Sequence, residues 1–261
     1  MLLAIDMGNT NIVIGCIDDD NIYFVERLST STLKTELEYA VDFKTVLEMY
    51  HIHADKIDGA IISSVVPQLN PVLKSALEKL LNITPLIVGP GLKNGLNILM
   101  DNPSQLGSDL VVDSVAALHE YGAPAIIIDM GTATTICVVD KNKNYIGGQI
   151  LPGVRVSLDS LVSRTSQLPR IALDTPKKVI GTNTVDCMKS GILYGNASCI
   201  DGMIEKIEEE LGYSAVVVAT GGLAKSIIPY CRHNIILDDD LLLKGLKIIY
   251  DKNSKHAKNT P

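Results

Sequence analysis

The chain has 261 residues, with 23 Lys+Arg against 30 Asp+Glu and a formal net charge of -7. Its hydrophobic share of 46%, charged share of 20% and mean hydropathy of +0.23 exclude a disordered chain, and the length predicts about two domains. The acidic surplus argues against a sequence-independent nucleic-acid binder and a polybasic membrane-surface protein, and no apolar run is long enough to span a bilayer.

Residues 1–18 read MLLAIDMGNTNIVIGCID. An apolar strand meets Asp6, then a turn rich in glycine, hydroxyl and amide side chains, then a second apolar strand and Asp18 where the next turn falls, which is a β-hairpin pattern. Residues 35–51 show helical spacing of Leu37, Ala40, Val41, Val46, Leu47 and Tyr50. Residues 58–66 form a continuous apolar run, the mark of a buried parallel strand, ended by Pro67. A helix is predicted over 70–81 with Pro71 in its first turn, a short strand over 85–88, and a linking helix over 104–121 with Leu106, Leu110, Val111, Ser114, Val115 and Leu118 on one side.

Residues 124–140, PAIIIDMGTATTICVVD, repeat the first hairpin, with Ile-Asp-Met-Gly identical in both copies. The repeat predicts two similarly folded α/β domains, 1–117 and 118–261, facing each other across a cleft. In the second, strands are predicted over 145–151, 215–219 and 234–237, and helices over 153–166, 184–211, 223–230 and 239–250. The polar tail 251–261 is expected to fray.

Cys16, Cys137, Cys187, Cys199 and Cys231 are odd in number and lack Cys-x-x-Cys spacing, which speaks against zinc or a disulfide framework. They read as mostly buried thiols in a reducing cytosol, and the N-terminus lacks the basic flank and apolar stretch of a secretory signal. A cytoplasmic protein is therefore expected. With no Trp and two Phe, the core must be aliphatic and nucleic-acid stacking platforms are few. His51, His53 and His119 have no ligand spacing and read as surface or satisfied histidines.

The hairpin Asp6-Met7-Gly8-Asn9-Thr10-Asn11 offers backbone N–H groups and polar side chains suited to phosphate, with a carboxylate able to hold a metal or its water. An ordinary polar turn accounts for the same residues. The second copy adds Thr132 and two further hydroxyls beside Asp129, and two such tips are able to clamp a polyphosphate. Thr220-Gly221-Gly222, between an apolar run and a helix, allows close approach of a base or ribose, or is plain loop punctuation.

These motifs occur with Asn102-Pro103-x-x-x-Gly107-Ser108-Asp109, Ile146-Gly147-Gly148-Gln149-Ile150-x-Pro152-Gly153, Leu168-Pro169-Arg170 and Gly181-x-Asn183-Thr184-x-x-x-Met188-x-Ser190-Gly191. In this collinear order, over about residues 1–250, the chain resembles type III pantothenate kinase, of the actin-like and sugar-kinase superfamily. The resemblance implies two tandem ribonuclease-H-like (actin-like ATPase) domains around a central cleft, and ATP-dependent phosphorylation of pantothenate. It implies ATP contacts at Asp6, Met7, Gly8, Asn9, Thr10, Asn11, Ile12, Val13, Thr132, Gly221 and Gly222. Asp109 would be the general base, although its place also suits a residue favouring a helix start. Substrate contacts would fall at Met100, Gly107, Ser108, Asp109, Leu110 and Thr184, the last also a natural helix cap.

Asp129 would hold potassium or ammonium, and Mg2+ would accompany ATP. ATP and pantothenate are the expected partners, with no nucleic acid and no membrane. A homodimer is also implied, with the long helix and its small residues Gly191, Gly195, Ala197 and Ser198 near the interface. Three departures bear on the substrate: Ser108 for alanine, Leu110 for a family arginine, and Met100 for an aromatic residue. Leu110 keeps open a weakened nucleotide- or pantothenate-binding regulator. An actin-like phosphohydrolase and a kinase of another small acid are enzymatic alternatives.

Overall fold

The computed structural model describes residues 1–19 and 21–257. Its helices are α1 (Glu36–Met49), α2 (Asn70–Leu81), α3 (Ser108–Glu120), α4 (Val154–Ser163), α5 (Thr184–Leu211), α6 (Ala224–Ile227) and α7 (Leu241–Ala257). The chain forms two compact units. The first contains Met1–Gly95, Asn102–Ala116 and the chain from Leu241 onward; the second contains Leu96–Asp101 and Ala117–Asp240.

The first unit is built on strands β1 (Leu2–Met7), β2 (Asn11–Ile17), β3 (Ile22–Ser29), β4 (Gly59–Ser64) and β5 (Leu86–Ile87). They lie in the order β3-β2-β1-β4-β5, antiparallel from β1 to β3 and parallel from β1 to β5. The second unit has β6 (Asn97–Ile98), β7 (Ala125–Met130), β8 (Ala133–Val139), β9 (Asn144–Pro152), β10 (Val216–Thr220) and β11 (Ile236–Leu237), in the order β11-β10-β7-β8-β9-β6. Without the short β6, strands β7 to β11 repeat the order and sense of β1 to β5. The repeated hairpin thus marks a repeated ribonuclease-H-like sheet.

Strand alternation sets each core. Leu3, Ile5 and Met7 of β1 join Ile12, Ile14 and Cys16 of β2 on one side, packed with Tyr39, Phe43, Leu73 and Leu77 of α1 and α2. On the other side of the sheet, Leu243 and Tyr250 of α7 lie against Gly15 and Gly59. In the second unit Ile126, Ile128 and Met130 pack with Ile192, Leu193, Ile200 and Ile204 of α5.

Local signals fix the helix ends. Thr35 and Glu38 form a reciprocal capping box at α1, with Thr35 N–H donating to Glu38 Oε2 at 2.7 Å. Asn183 caps α5, its Oδ1 accepting from Asp186 N–H at 2.9 Å, and Gly212 ends that helix in the left-handed region at φ 74.

The predicted spans 70–81 and 184–211 coincide with α2 and α5. Other expectations need correction. Leu37 and Val41 are 62% and 54% exposed, because the aromatic Tyr39 and Phe43 take the core side of α1. The linking helix begins at Ser108, not 104. Asn102 instead caps a short 3-10 turn at Pro103–Gln105, and Leu106 is extended. The expected helix over 223–230 gives way after α6 to a 3-10 turn, Ile228–Tyr230, where Pro229 lacks a backbone donor.

Strands β3 and β6 lie outside the sequence expectations. Helix α7 runs through Ala257, beyond the expected helix end at 250; residues 258–261 of the expected frayed tail lie outside the described residues. Helix α7 groups with the first unit, unlike its placement in 118–261, because it packs against β1, β2 and β4. Only Cys16 and Cys137 are buried; Cys187 and Cys199 are exposed, Cys231 is half-buried, and all five are free thiols.

The capping geometry separates two adjacent residues. Replacing Asn183 by alanine should cost about 1 kcal/mol through loss of the cap. Thr184→Ala should leave stability nearly unchanged, because the Thr184 side chain caps nothing. Urea midpoints of the two variants against the parent measure the difference.

Candidate active site

In the first unit, Asp6 lies between Ile5 and Met7, both buried, so alternation puts its side chain on the opposite sheet face. Pairing registers set Asp6 beside Val13 on β2 and Ser63 on β4. The turn beyond β1 closes through Gly8 N–H to Asn11 O at 3.0 Å. Thr30 clasps it, its N–H donating to Thr10 O at 3.0 Å and its hydroxyl to Gly8 O at 2.7 Å. Asn9, Thr10 and Asn11 are exposed. Met7 and Ile12 have fully buried side chains, so they can offer a ligand only backbone groups.

The start of α3 is held against the end of β4. Ser108 Oγ donates to Ser64 O at 3.0 Å, accepts from Ser64 N–H at 2.9 Å and lies 3.0 Å from Ser63 Oγ. Its hydroxyl is therefore committed to β4, and it positions the next residue. Asp109 Oδ1 accepts from Leu110 N–H at 2.8 Å, and no cation pairs with the carboxylate among the described residues. Burial pushes its pKa above the ordinary carboxylate value, against the lowering effect of backbone hydrogen bonds. Gly107 leaves the space for this carboxylate: a Cβ there would fall 2.4 Å from Asp109 Oδ1. Leu110 supplies a backbone donor to Asp109 and no side-chain charge.

In the second unit Asp129 repeats the position of Asp6, paired in register with Thr135 on β8 and Thr220 on β10. Thr220 is buried, and Thr135 Oγ1 is a buried atom without a hydrogen-bond partner. Gly221 follows at φ +93, and a Cβ there would lie 2.3 Å from Asp129 Oδ1 and 2.6 Å from Met130 N. Only a residue without a side chain lets the Gly221-Gly222 turn come this close to β7. Thr132 is exposed at the hairpin tip. The second unit thus brings Asp129, Gly221 and the Thr132 turn together.

Thr184 opens α5 with its side chain exposed, because Asn183 does the capping. Thr184 lines an apolar groove of about 400 Å³ with Leu161, Leu168, Cys187, Met188, Gly191 and Ile192. Met100 follows β6, where Leu99 N–H donates to Tyr145 O at 2.8 Å. Met100 and Thr184 fall in the second unit, Gly107 to Leu110 in the first. Arg155, Arg164 and Arg170 are exposed, belong to the second unit and form no ion pair among the described residues.

Sequence reasoning missed Thr30, Ser63 and Ser64 as site components, and it named Thr135 and Thr220 only as members of their motifs, without a role beside Asp129. Thr135 was legible as part of the hydroxyl-rich repeat and Thr220 as part of the Gly-Gly turn; Thr30, Ser63 and Ser64 become visible only through pairing register and tertiary hydrogen bonds.

Residues 2–206 match the family model described as type III pantothenate kinase. The type III pantothenate kinase of Halalkalibacterium halodurans is 46% identical over 253 residues, covering 97% of this chain and 100% of the relative. That of Geobacillus sp. is 44% identical over 253 residues, covering 97% and 98%. Among solved structures, component A of (R)-2-hydroxyglutaryl-CoA dehydratase from Acidaminococcus fermentans aligns with a TM-score of 0.57 at 16% identity, covering 99% of each chain. That likeness shows the fold alone, the actin-like ATPase fold that the repeated sheet order had indicated. With the family model matching most of the chain and relatives matching nearly all of it, the chain belongs to the type III pantothenate kinase family.

Proposed function

We propose that this chain transfers the γ-phosphoryl group of ATP to the primary hydroxyl of pantothenate, giving 4′-phosphopantothenate in the first step of coenzyme A biosynthesis. The observation that carries the reading is Asp109: half-buried, without a cationic partner among the described residues, and next to Ser108, which is bonded to the end of β4 beside the strand that bears Asp6. An alcohol becomes an effective nucleophile when its proton is accepted as the loose transition state develops. The hydroxyl oxygen forms the new bond to phosphorus, the bond to the leaving ADP breaks, and the proton passes to the Asp109 carboxylate.

The family implies ATP and a divalent metal. In the first unit the exposed turn of Asn9, Thr10 and Asn11 would meet the phosphates, joined by backbone groups of Met7, Gly8, Ile12 and Val13. Asp6 would hold the Mg2+ that accompanies ATP, which neutralises phosphate charge. In the second unit Thr132 would add a phosphate contact, and Gly221 and Gly222 would admit the adenosine.

Asp129 is assigned to potassium or ammonium. The buried, unpartnered Thr135 Oγ1 and the neighbouring Thr220 fit that group, since oxygen donors suit a hard cation. Gly107, Leu110, Met100 and Thr184 are assigned to pantothenate, with Ser108 acting through its hold on β4. Leu110 brings no charge to the acid end of the substrate. A cytoplasmic setting fits a substrate pair drawn from central metabolism.

A homodimer through α5 completes the reading. Gly191 and Gly195 are exposed, and, the adjoining residues and backbone of α5 aside, nothing among the described residues lies within 4 Å of a Cβ built on either. Val185, Leu161 and Ile180, at 37%, 39% and 78% exposure, add apolar surface in the same unit. A second copy of the helix would cover this small-residue face at close range.

Asp109→Asn should lower kcat by about 10²–10⁴-fold and leave ATP affinity nearly intact. Because the folded-state pKa is raised, activity should fall as pH drops through a value above the ordinary 3.9 or so. The stability sign is opposite: ionising Asp109 in the fold costs free energy, an effect that grows as pH rises above the unfolded pKa. The asparagine variant should therefore melt no lower than the parent at neutral pH. ADP release with and without pantothenate, across pH, together with thermal melts, checks all three expectations; turnover by the variant near the parent rate rejects Asp109 as base.

Replacing potassium by lithium should suppress turnover in the parent, and Asp129→Ala should remove both activity and ion preference. Steady-state rates in matched chloride salts measure this. Gly191→Leu should weaken self-association by about 1–3 kcal/mol through overpacking. Sedimentation equilibrium over a micromolar series reads the change.

A further inference from the structure

Alternation along β3 places Phe24 and Leu28 with the core under α1 and α2, and Arg27 on the opposite sheet face. The registers extend this placement. Arg27 pairs with Val13, Val13 with Asp6, and Asp6 with Ser63, so these four side chains form one row across the sheet. The row lies near the end of the sheet that carries the Gly8–Thr10 turn and the Ser108 anchor.

Arg27 is the single arginine of the first unit. It is exposed, and it has no ion pair or hydrogen bond among the described residues. Helix α7 packs against β1, β2 and β4, the other strands of the row.

An exposed arginine on an edge strand can simply guard that edge from pairing. Its place in the row points further. Asp109 is tied to β4, on one side of Asp6, and Arg27 stands on the other side, two strands away or about 10 Å between Cα atoms. If the acceptor hydroxyl meets Asp109 and phosphate lies over Asp6 and the Gly8 turn, the leaving ADP extends toward Arg27. A guanidinium keeps its charge at all working pH values and matches phosphate oxygens with paired donors.

We infer that Arg27 binds the polyphosphate of ATP on the leaving-group side of Asp6. This inference rests on the kinase reading of the same site, and it assigns Arg27 to the nucleotide, not to the pantothenate carboxylate.

The test measures binding directly, by titration calorimetry with Mg2+ and adenylyl imidodiphosphate, and separately with pantothenate. Arg27→Gln should weaken nucleotide binding about 10- to 100-fold, with pantothenate affinity unchanged. Arg27→Lys should fall between, because it keeps the charge and loses the fork; it also serves if the glutamine variant fails to fold. Nucleotide affinity equal to that of the parent in both variants overturns the inference, as does a loss confined to pantothenate. If the parent binds nucleotide but does not phosphorylate pantothenate, the proposed reaction fails, while the Arg27 comparison still reads.

Discussion

Strand alternation is the constraint on which the rest of this structure depends. In β1 and β7 the residues flanking the aspartate are large and apolar, and burying them leaves no choice of face for Asp6 or Asp129. A slip of one residue would put the carboxylate into an aliphatic core, at a desolvation cost of several kcal/mol, and would turn Ile5 or Ile128 outward. The hydrophobic effect thus aims the charged groups without contacting them. The same rule aims Ser63, Thr135 and Thr220, which share rows with the aspartates.

Most of the framework was legible because it is local. The hairpins announce themselves through Asp-x-Gly between apolar runs, and α2 and α5 carry clear boundaries at Pro71 and at Asn183. The apolar side of α1 was misread because its sequence carries two apolar stripes, and rank between them is set by volume. Tyr39 and Phe43 fill space that Leu37 and Val41 leave unfilled. The start of α3 was misplaced because a 3-10 turn and a helix share their first-turn residues.

The site divides in the same way. Asp6, Asp109 and Asp129 stand in motifs and were found there. Thr30 and Ser63 act through partners 20 or more residues away, as in the bond from Thr30 to Gly8 and the contact from Ser63 to Ser108. No local pattern records such pairings. Ser108 shows the limit from the other side: the motif located it, but only its bonds to Ser64 reveal that its hydroxyl faces the strand.

Helix α7 closes the first unit with residues that follow the whole of the second. Most of the second unit is therefore inserted in the first, and both units are discontinuous in the chain. As the polypeptide is synthesised, β1, β2 and β4 exist long before Leu243 and Tyr250 arrive to cover Gly15 and Gly59. Contacts of such long sequence separation form late and slowly. On the ribosome the first unit has all its strands in hand first, yet it lacks α7 until the second unit has been made, so the unit begun first is the one completed last.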